Sequence, residues 1–572
     1  MTGMSFKKAR EIKLAQRDAS ISKLPSKFHV PLDNIEQDIA TAPVSRIIQQ
    51  VQEKKVWSSE QVLTAFAKTA IAAQAQTNCL TEIFIDQADQ DAVALDAKLK
   101  QTGEPVGPLH GIPVSLKDTF NVVGQDSTLG YSSYVGKTAN EDGVLVKLLR
   151  GAGAIPYVKT NVPQTLLLAE SVNPLFGAVD HPTHPGYTPG GSSGGESALL
   201  ALNGSVLGLG TDIGGSLRIP AAFAGICSLK PSVGRISRGK NTSTNPGIET
   251  VSSVVGPMTR TVDDLEYFTK VLLNLKAWEL DQTVLPLPYR EEETKLPAKL
   301  RIGYYTDIGL VDSSPACKRA VLQTVEALRA AGHDVFEFTV PDMPQAASLG
   351  SSLLTADKGK TICLPIKKDP LVAGVKAMLK FYHLPWWMKK LQIWMLRTFA
   401  KDNKTADYIE NMKGAKDVFE LWQLTAERER YRQKFMDLWN ASANPSTGQA
   451  MDCIICPVNA LPTMKHNKYH ECTPGISYTV LYNLLDYSAG VLPVTKVSAQ
   501  DDFVDRASLM KNTWNSMEKG MFAHYNVQEM QGLPVPVQVV GRRLQEEKVI
   551  AMMQVIKKVL NESGKPELQM RR

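Results

Sequence analysis

Two clusters of glycine and serine constrain this chain more than any other feature. They are residues 190–195, which read GGSSGG, and residues 214–216, which read GGS. Between them lie a helical run that starts at Glu196 and an apolar run over residues 206–209 that predicts a buried strand. Glycines at this density permit positive φ and let a ligand approach the backbone amides closely. The serines are therefore candidates for acyl-transfer chemistry.

Two well-known motifs do not explain the first cluster. Residues 191–195 satisfy the G-x-S-x-G pattern of the α/β-hydrolase nucleophile elbow, but that elbow needs an apolar strand directly before it. Residues 184–189 read HPGYTP, which is loop composition. A phosphate-binding loop needs a lysine after its glycines, and none follows here.

The serine spacing and an upstream lysine point to a known family. Ser192 precedes Ser216 by 24 residues, and Lys117, in the strand-like run GIPVSLKD, precedes Ser216 by 99 residues. Three motifs in this order and spacing resemble the amidase signature family, from about Leu109 to residues 532–542. The resemblance implies an α/β amidase signature fold, with a central mixed β-sheet flanked by many helices and an inserted helical cap.

The resemblance also assigns roles at the site. It makes Ser216 the nucleophile that forms an acyl-enzyme, and it places Ser192, after a cis peptide bond, between Ser216 and Lys117. A lysine acts as a base only when its pKa is well below the free value, and burial in an apolar strand lowers it. Lys117 follows Ile112, Val114 and Leu116, which fits such a site.

Further roles follow from the same resemblance. The expected oxyanion hole consists of backbone amides, and the expected supporting and substrate-contacting residues flank them. The oxyanion amides are those of Ile213, Gly214, Gly215 and Ser216, the supporting residues are Ser193, Asp212 and Arg218, and the substrate contacts are Leu166, Ser192 and Ile213.

Each motif has an ordinary structural explanation when it is taken alone. A Gly-Gly-Ser-Ser run is usually a flexible loop, and a single lysine on a strand is usually a surface charge. The joint spacing of Lys117, Ser192 and Ser216 favours the catalytic interpretation over both.

Composition excludes several other classes of protein. The chain has 572 residues, of which 43% are hydrophobic and 21% charged, as in an ordinary globular protein. Seven cysteines do not form a disulfide framework, and Cys453 and Cys456 lie in a run that predicts a buried strand, not a zinc site. We expect neither a metal nor a cofactor, no spanning helix, and a solvated helix in the basic N-terminal segment.

Local patterns predict alternating strands and helices. Ser58 with Gln61 is a capping-box signature for a helix that continues to about Gln76. Residues 301–305 predict a strand, 315–331 a helix and 333–338 another strand. Such alternation is typical of a layered α/β fold around a mixed sheet.

The second informative segment is 367–401. It contains eight lysine or arginine residues against one aspartate, and its net charge of +7 exceeds the +6 of the whole chain. Aromatic residues, among them Trp386, Trp387 and Trp394, alternate with the lysines, and Pro385 divides the segment into two predicted amphipathic helices. Membrane-interface binding, calmodulin-type binding and plain helix packing all fit this pattern.

The sequence Leu384-Pro385-Trp386-Trp387, followed by a basic and apolar run, is similar to the membrane cap of the fatty acid amide hydrolase branch. That resemblance implies reversible, peripheral attachment to the cytoplasmic face of membranes, or a cytoplasmic protein, and a homodimer. It divides the chain into an N-terminal helical arm (1–60), the amidase core (61–360), the cap (361–415) and the rest of the core (416–572).

Several functions are therefore weighed. The first is a serine hydrolase of lipophilic amides, namely fatty acid primary amides and N-acylethanolamines, and the second is a soluble amidase for small aliphatic or aromatic amides. A tRNA-dependent glutamine amidotransferase subunit is disfavoured, because the basic excess is concentrated on one aromatic segment, and we expect no nucleic-acid partner. A non-catalytic binding module is hard to reconcile with an intact Lys117, Ser192 and Ser216.

Overall fold

A computed structural model describes residues 4–505, 508 and 515–564. Its centre is a single 11-stranded sheet with the strand order β1-β3-β2-β6-β8-β7-β12-β13-β11-β9-β10, and β4 and β5 form a separate ribbon. The strands are β1 Leu80–Ile83, β2 Pro113–Lys117, β3 Ile155–Thr160, β4 Val172–Asn173, β5 Gly177–Ala178, β6 Leu207–Asp212, β7 Cys227–Lys230, β8 Val254–Thr259, β9 Arg301–Tyr304, β10 Asp334–Glu337, β11 Cys453–Cys456, β12 Ala489–Lys496 and β13 Pro534–Val540.

The sheet is mixed, as the sequence predicts. Strand β2 runs parallel to both of its neighbours, β3 and β6. The β6–β8–β7–β12–β13–β11 section is antiparallel throughout, and β9 pairs in parallel with β10 and β11. Every residue of β2 and β3 is buried, as expected for strands that are covered on both faces.

Helices cover the two faces of the sheet. They span Phe6–Ser22, Asn34–Thr41, Val44–Ile48, Ser59–Thr77, Ile85–Thr102, Val144–Gly151, Gly194–Ala201, Arg218–Ala224, Val262–Asn274, Pro315–Ala330, Met343–Leu354, Lys360–Cys363, Ala373–His383, Trp386–Thr398, Asn403–Asn411, Val418–Ala441, Tyr469–Cys472, Ser477–Leu484, Ser516–Phe522 and Glu546–Glu562.

Sequence-predicted helix and strand positions are confirmed where local signals are strong. Helix Ser59–Thr77 begins with a reciprocal capping box between Ser58 and Gln61, which satisfies two amide groups at the helix start. Cys453 and Cys456 lie in the fully buried strand β11. The α/β class with a large mixed sheet is therefore the observed fold.

The basic N-terminal segment is a helix, Phe6–Ser22, but it is not uniformly solvated. Lys13 is buried, and its Nζ lies 2.6 Å from Glu82 and 3.1 Å from Asp126. Because a buried charge needs a partner, these two carboxylates hold the helix against the core. The expectation of a solvated helix is wrong at this face.

The predicted division of the cap at Pro385 is confirmed. Helix Ala373–His383 ends before Pro385, and helix Trp386–Thr398 begins directly after it, because proline cannot continue the first helix but fits the start of the second. In the described ranges, no helix combines the length and the apolar character that crossing a bilayer requires.

Candidate active site

Lys117 is the last residue of β2, at the carboxyl end of a parallel section of the sheet. Its side chain is completely buried, and its Nζ donates to Ser192 Oγ at 2.8 Å and to Thr211 Oγ1 at 2.7 Å. The structure thus brings together two of the three residues in the predicted relay. It also adds Thr211, a residue of β6 that the sequence analysis does not single out.

Burial decides the protonation of this lysine. Loss of solvent lowers the pKa of Lys117 to about 7, although the carboxylates of Asp212 and Glu196 favour the charged form. A lysine with a pKa near neutrality exists partly as the free amine at physiological pH, so its Nζ can accept a proton.

The bond between Gly191 and Ser192 is a cis peptide bond. The chain is tightly enclosed here, since a Cβ on Gly191 would lie 2.6 Å from the carbonyl oxygen of Leu168. The Ser192 side chain is buried, and the helix Gly194–Ala201 starts two residues later. The tight enclosure and the helix that follows hold the Ser192 hydroxyl beside Lys117.

Ser216 lies in the turn between β6 and the helix Arg218–Ala224. It is 8% exposed, and it shares the lining of one cavity with Ser192 and Thr211. The carbonyl oxygen of Ser216 accepts from the backbone amide of Ser193 at 3.3 Å, which ties the two serine clusters together. Both predicted serines therefore line the same cavity.

An ion pair braces the turn that carries Ser216. Arg218 donates to both carboxylate oxygens of Asp212, at 3.0 Å each, and both side chains are completely buried. Although burial opposes its ionisation, the adjacent guanidinium holds the pKa of Asp212 well below its usual range. The carboxylate also accepts from the amides of Gly215, at 2.8 Å, and Leu217, at 3.1 Å.

The predicted oxyanion amides differ in whether they already donate a hydrogen bond within the protein. The Gly215 amide is occupied by Asp212. In the part of the chain that the structure describes, the amides of Ile213, Gly214 and Ser216 donate to no protein acceptor. Three of the four predicted amides are thus available to an oxyanion in this conformation.

The turn needs glycine at position 215. Its φ is +126°, and an added Cβ would lie 2.3 Å from Thr479 Oγ1. Because any side chain would be both strained and obstructed here, Gly215 is required by the backbone conformation of the turn.

Partners of Arg218 come from distant parts of the chain, and sequence reasoning misses them. Its guanidinium donates to Gln538 at 2.8 Å, to Asn483 at 2.6 Å and to the carbonyl oxygen of Thr479 at 3.0 Å. Asn483 also donates to Asp212 at 2.8 Å. No local pattern marks these residues, since they lie more than 250 positions away.

Glu196 is a second buried acid near the lysine. It accepts from Ser115 and, at 2.7 Å, from Thr160, and burial raises its pKa to about 7. Ser193, predicted as a supporting residue, is buried, and its hydroxyl lies 3.5 Å from the carbonyl oxygen of Thr211. Both residues lie close to Lys117, because the Glu196 carboxylate favours its charged form and the carbonyl oxygen of Thr211 lies 3.5 Å from both Ser193 Oγ and Lys117 Nζ.

Two cavities have Ser216 in their lining, and another cavity shares other residues with them. The first, about 90 Å³, is lined by Ser192 and Ser216 and by the polar segment 241–245. The second, about 330 Å³, is mostly apolar and lies beneath helix Ala373–His383, with Leu354, Met378 and Phe381 in its wall. A narrow third cavity of about 40 Å³ shares Ser216 with the lining of the first cavity and Leu354 with the lining of the second.

Leu166, a predicted substrate contact, borders the first and third cavities together with Ile213. Thr165 and Leu166 both have positive φ, +72° and +61°, which non-glycine residues seldom adopt. The Thr165 carbonyl accepts from Thr244 at 3.1 Å, and this bond helps to hold the turn.

The three cap tryptophans are not brought to the serine site. Trp386 is 45% exposed, Trp387 66% and Trp394 53%, and they lie on the helix that follows Pro385. Not every lysine of the segment faces outward, because Lys389 is buried with its Nζ 4.3 Å from the centre of the Phe381 ring. The cap thus combines an anchored inner face with an exposed aromatic face.

Known proteins share this architecture. The family described as Amidase matches residues 61–550. An acetamidase of Emericella nidulans is 34% identical over 549 residues, with 95% of this chain and 93% of that protein covered. Fatty-acid amide hydrolase 1 of Sus scrofa is 35% identical over 552 residues, covering 96% and 91%.

A solved structure of fatty acid amide hydrolase superposes with a TM-score of 0.82 at 29% identity, covering 96% of this chain and 90% of that one. The fold, the family match and the relatives agree. The chain belongs to the amidase signature family, and it is a hydrolase of that family with fatty acid amide hydrolases and acetamidases among its relatives.

Proposed function

We propose that this protein hydrolyses lipophilic carboxamides, namely fatty acid primary amides and N-acylethanolamines, through an acyl-enzyme on Ser216. The observation that carries the proposal is the narrow cavity whose lining includes both Ser216 and Leu354, because Leu354 also lines the apolar cavity under the cap. An acyl chain that entered it would place its carbonyl beside Ser216 and its methylenes against Leu354 and Met378. Burial of each methylene contributes about 0.8 kcal/mol, which favours long chains.

The chemistry starts with a proton relay. Ser192 Oγ takes the proton of Ser216 Oγ while it gives its own proton to the neutral Lys117 Nζ. The Ser216 oxygen bonds to the amide carbon, and the free amides of Ile213, Gly214 and Ser216 stabilise the negative carbonyl oxygen. The relay then runs in reverse and delivers the proton to the amide nitrogen as the C–N bond breaks.

Deacylation uses the same groups. A water molecule gives a proton through Ser192 to Lys117 and attacks the acyl carbon, and Ser216 regains its proton when its bond to that carbon breaks. The products are a fatty acid and an amine or ammonia. Thr211 accepts from Lys117 throughout and keeps the Nζ directed at Ser192.

Membrane association is a further part of the proposal. The exposed Trp386, Trp387 and Trp394 and the surrounding lysines have the composition of an interfacial segment, in which aromatic rings lie at headgroup depth and ammonium groups contact anionic lipid. Substrate would then enter the apolar cavity from the bilayer, because helix Ala373–His383 forms part of its wall. A homodimer remains a prediction from the resemblance alone.

The test is a panel of primary amides from acetamide to oleamide, assayed with purified protein. We expect kcat/KM to rise with chain length until the cavity is filled. Leu354→Trp should obstruct the narrow cavity and remove most of this gain while acetamide hydrolysis is retained. Leu322→Trp is the matched control, because Leu322 is 43% exposed on a distant helix.

A second candidate is a general amidase for small amides, which the similarity to the acetamidase of Emericella nidulans supports. A flat chain-length profile, unaffected by Leu354→Trp, would favour this function over the first. Ser216→Ala should abolish turnover and fluorophosphonate labelling in either case, and labelling that persisted would show that Ser216 is not the nucleophile.

A further inference from the structure

The polar cavity on the opposite side of Ser216 has an unusual charge pattern. Its lining is formed by serine, threonine and asparagine side chains, a few apolar residues and one charged residue, Arg238. Within the described part of the chain, no carboxylate lines this cavity. A cation without a neighbouring acid in a cleft attracts anions.

Among the residues that the structure describes, none forms a hydrogen bond or an ion pair with the Arg238 guanidinium. It is exposed while it also lines the cavity, and among the described residues it forms no ion pair. Three acids of the adjoining segments are engaged elsewhere: Glu141 pairs with Lys240, Asp142 with Arg150 at 3.2 Å, and Asp281 accepts from Ser237 and Gly239. The guanidinium is therefore free to bind a ligand.

The cavity also contains unused hydrogen-bonding groups. Both amide atoms of Asn241, the Oδ1 of Asn245 and the hydroxyl of Thr119 have no partner within the described ranges, although solvent does not reach them. Buried polar groups without a partner are uncommon in proteins. All three residues line the cavity that contains Ser192 and Ser216, so the wall of this cavity holds more polar groups than the described protein atoms pair.

We propose that this cavity is a subsite for leaving amines that carry an acidic group, with Arg238 binding the anion, so that N-acyl amino acids are substrates. The inference rests on the proposed function, in which the apolar cavity takes the acyl chain and leaves the polar cavity for the amine. Arginine suits the role because its planar fork binds a carboxylate through two hydrogen bonds.

The test compares two substrates with the same acyl chain, N-lauroylglycine and N-lauroylethanolamine. The wild type should hydrolyse the glycine conjugate with at least equal kcat/KM. Arg238→Gln should lower the glycine-to-ethanolamine ratio roughly tenfold, as expected for one charge-assisted contact, and Arg238→Glu should lower it further. Arg238→Lys should retain most of the ratio.

Lys240→Gln is the matched control, since Lys240 is an exposed cation that lies outside the cavity lining. Added salt should reduce the effect of Arg238→Gln, because a partly exposed charge is screened. An unchanged ratio in Arg238→Gln, or an equal fall in Lys240→Gln, would overturn the subsite.

Failure of the two proposals gives different results. If acetamide is hydrolysed and neither lauroyl substrate is, the lipophilic function is wrong, and N-acetylglycine with N-acetylethanolamine then tests Arg238 by the same ratio. If lauroylethanolamine is hydrolysed and the glycine conjugate is rejected by the wild type, the subsite is wrong and the lipophilic function stands.

Discussion

Arg218 Nη2 donates to Asn483 Oδ1 at 2.6 Å, and this bond joins the turn that carries Ser216 to the helix Ser477–Leu484. Asn483 returns a hydrogen bond to Asp212 at 2.8 Å. The Asp212 carboxylate in turn accepts hydrogen bonds from the backbone amides of Gly215 and Leu217, the neighbours of Ser216. The position of Ser216 therefore depends on a side chain that takes no part in the relay.

Asn483→Ala should lower kcat about tenfold and leave KM nearly unchanged. The variant removes two charge-assisted hydrogen bonds, one accepted from the Arg218 guanidinium and one donated to the Asp212 carboxylate, and bonds of this kind contribute about 1.5–3 kcal/mol each. Steady-state kinetics on one amide measure the two parameters. Asn440→Ala, at an exposed helix position, is the control. A fall in both variants would show that general stability, and not the turn, is responsible.

Activity should rise with pH through about 7. The relay needs the free amine of Lys117, and burial lowers the pKa of this lysine to about 7, so the fraction of competent enzyme increases as pH rises through that value. The pH profile of kcat/KM between 5 and 9 measures this limb. A profile that is flat across neutrality would contradict a role for Lys117 as the base.

The same burial predicts a stability effect. Lys117 has a lower pKa folded than unfolded, so between about 7 and its ordinary value of 10.5 the unfolded state binds more protons and stability rises with pH. Lys117→Met removes this term. We expect its Tm to exceed that of the wild type by more at pH 6 than at pH 9, in thermal unfolding followed by circular dichroism. If Lys117→Met raised the Tm equally at pH 6 and pH 9, burial would not lower the pKa of Lys117.

Thr211→Val should reduce kcat by roughly three- to tenfold, which corresponds to the free energy that one hydrogen bond to a charged or polar partner contributes. Valine keeps the shape of threonine but cannot accept from Lys117, which loses a bond of 2.7 Å. Because the lost bond stabilises the ammonium, the acid limb of the profile should also move to lower pH. Thr69→Val, whose hydroxyl bonds only to its own helix, is a suitable comparison.

Replacing Trp386, Trp387 and Trp394 together by serine should weaken sedimentation with anionic vesicles. Each ring is about half exposed or more, and interfacial tryptophans supply much of the apolar contact in such segments. Hydrolysis of acetamide should be retained, because these residues lie outside the cavities around Ser216. Trp422→Ser, at 68% exposure on another helix, provides the control, and unchanged sedimentation of the triple variant would remove the membrane role of the cap.

Local sequence was sufficient for several features. The apolar run before Lys117 predicts a buried strand, because a run of apolar residues is a local property of the sequence. The structure confirms this prediction, since every residue of β2 is buried. Pro385 predicts the break between two cap helices because its ring excludes a helix interior. The glycines beside Ser216 predict a turn that side chains would obstruct, and Gly215 shows the steric reason.

Tertiary structure alone decided the rest. Asn483 lies 271 positions from Asp212, and only the packing of helix Ser477–Leu484 on the turn after β6 makes them partners. Thr211 reaches Lys117 because β6 pairs with β2 in a register that no local pattern encodes. The narrow cavity lined by both Ser216 and Leu354 likewise requires side chains from separate segments to enclose one space. Sequence patterns record the preferences of neighbouring residues, whereas contacts between distant ones arise when the chain folds.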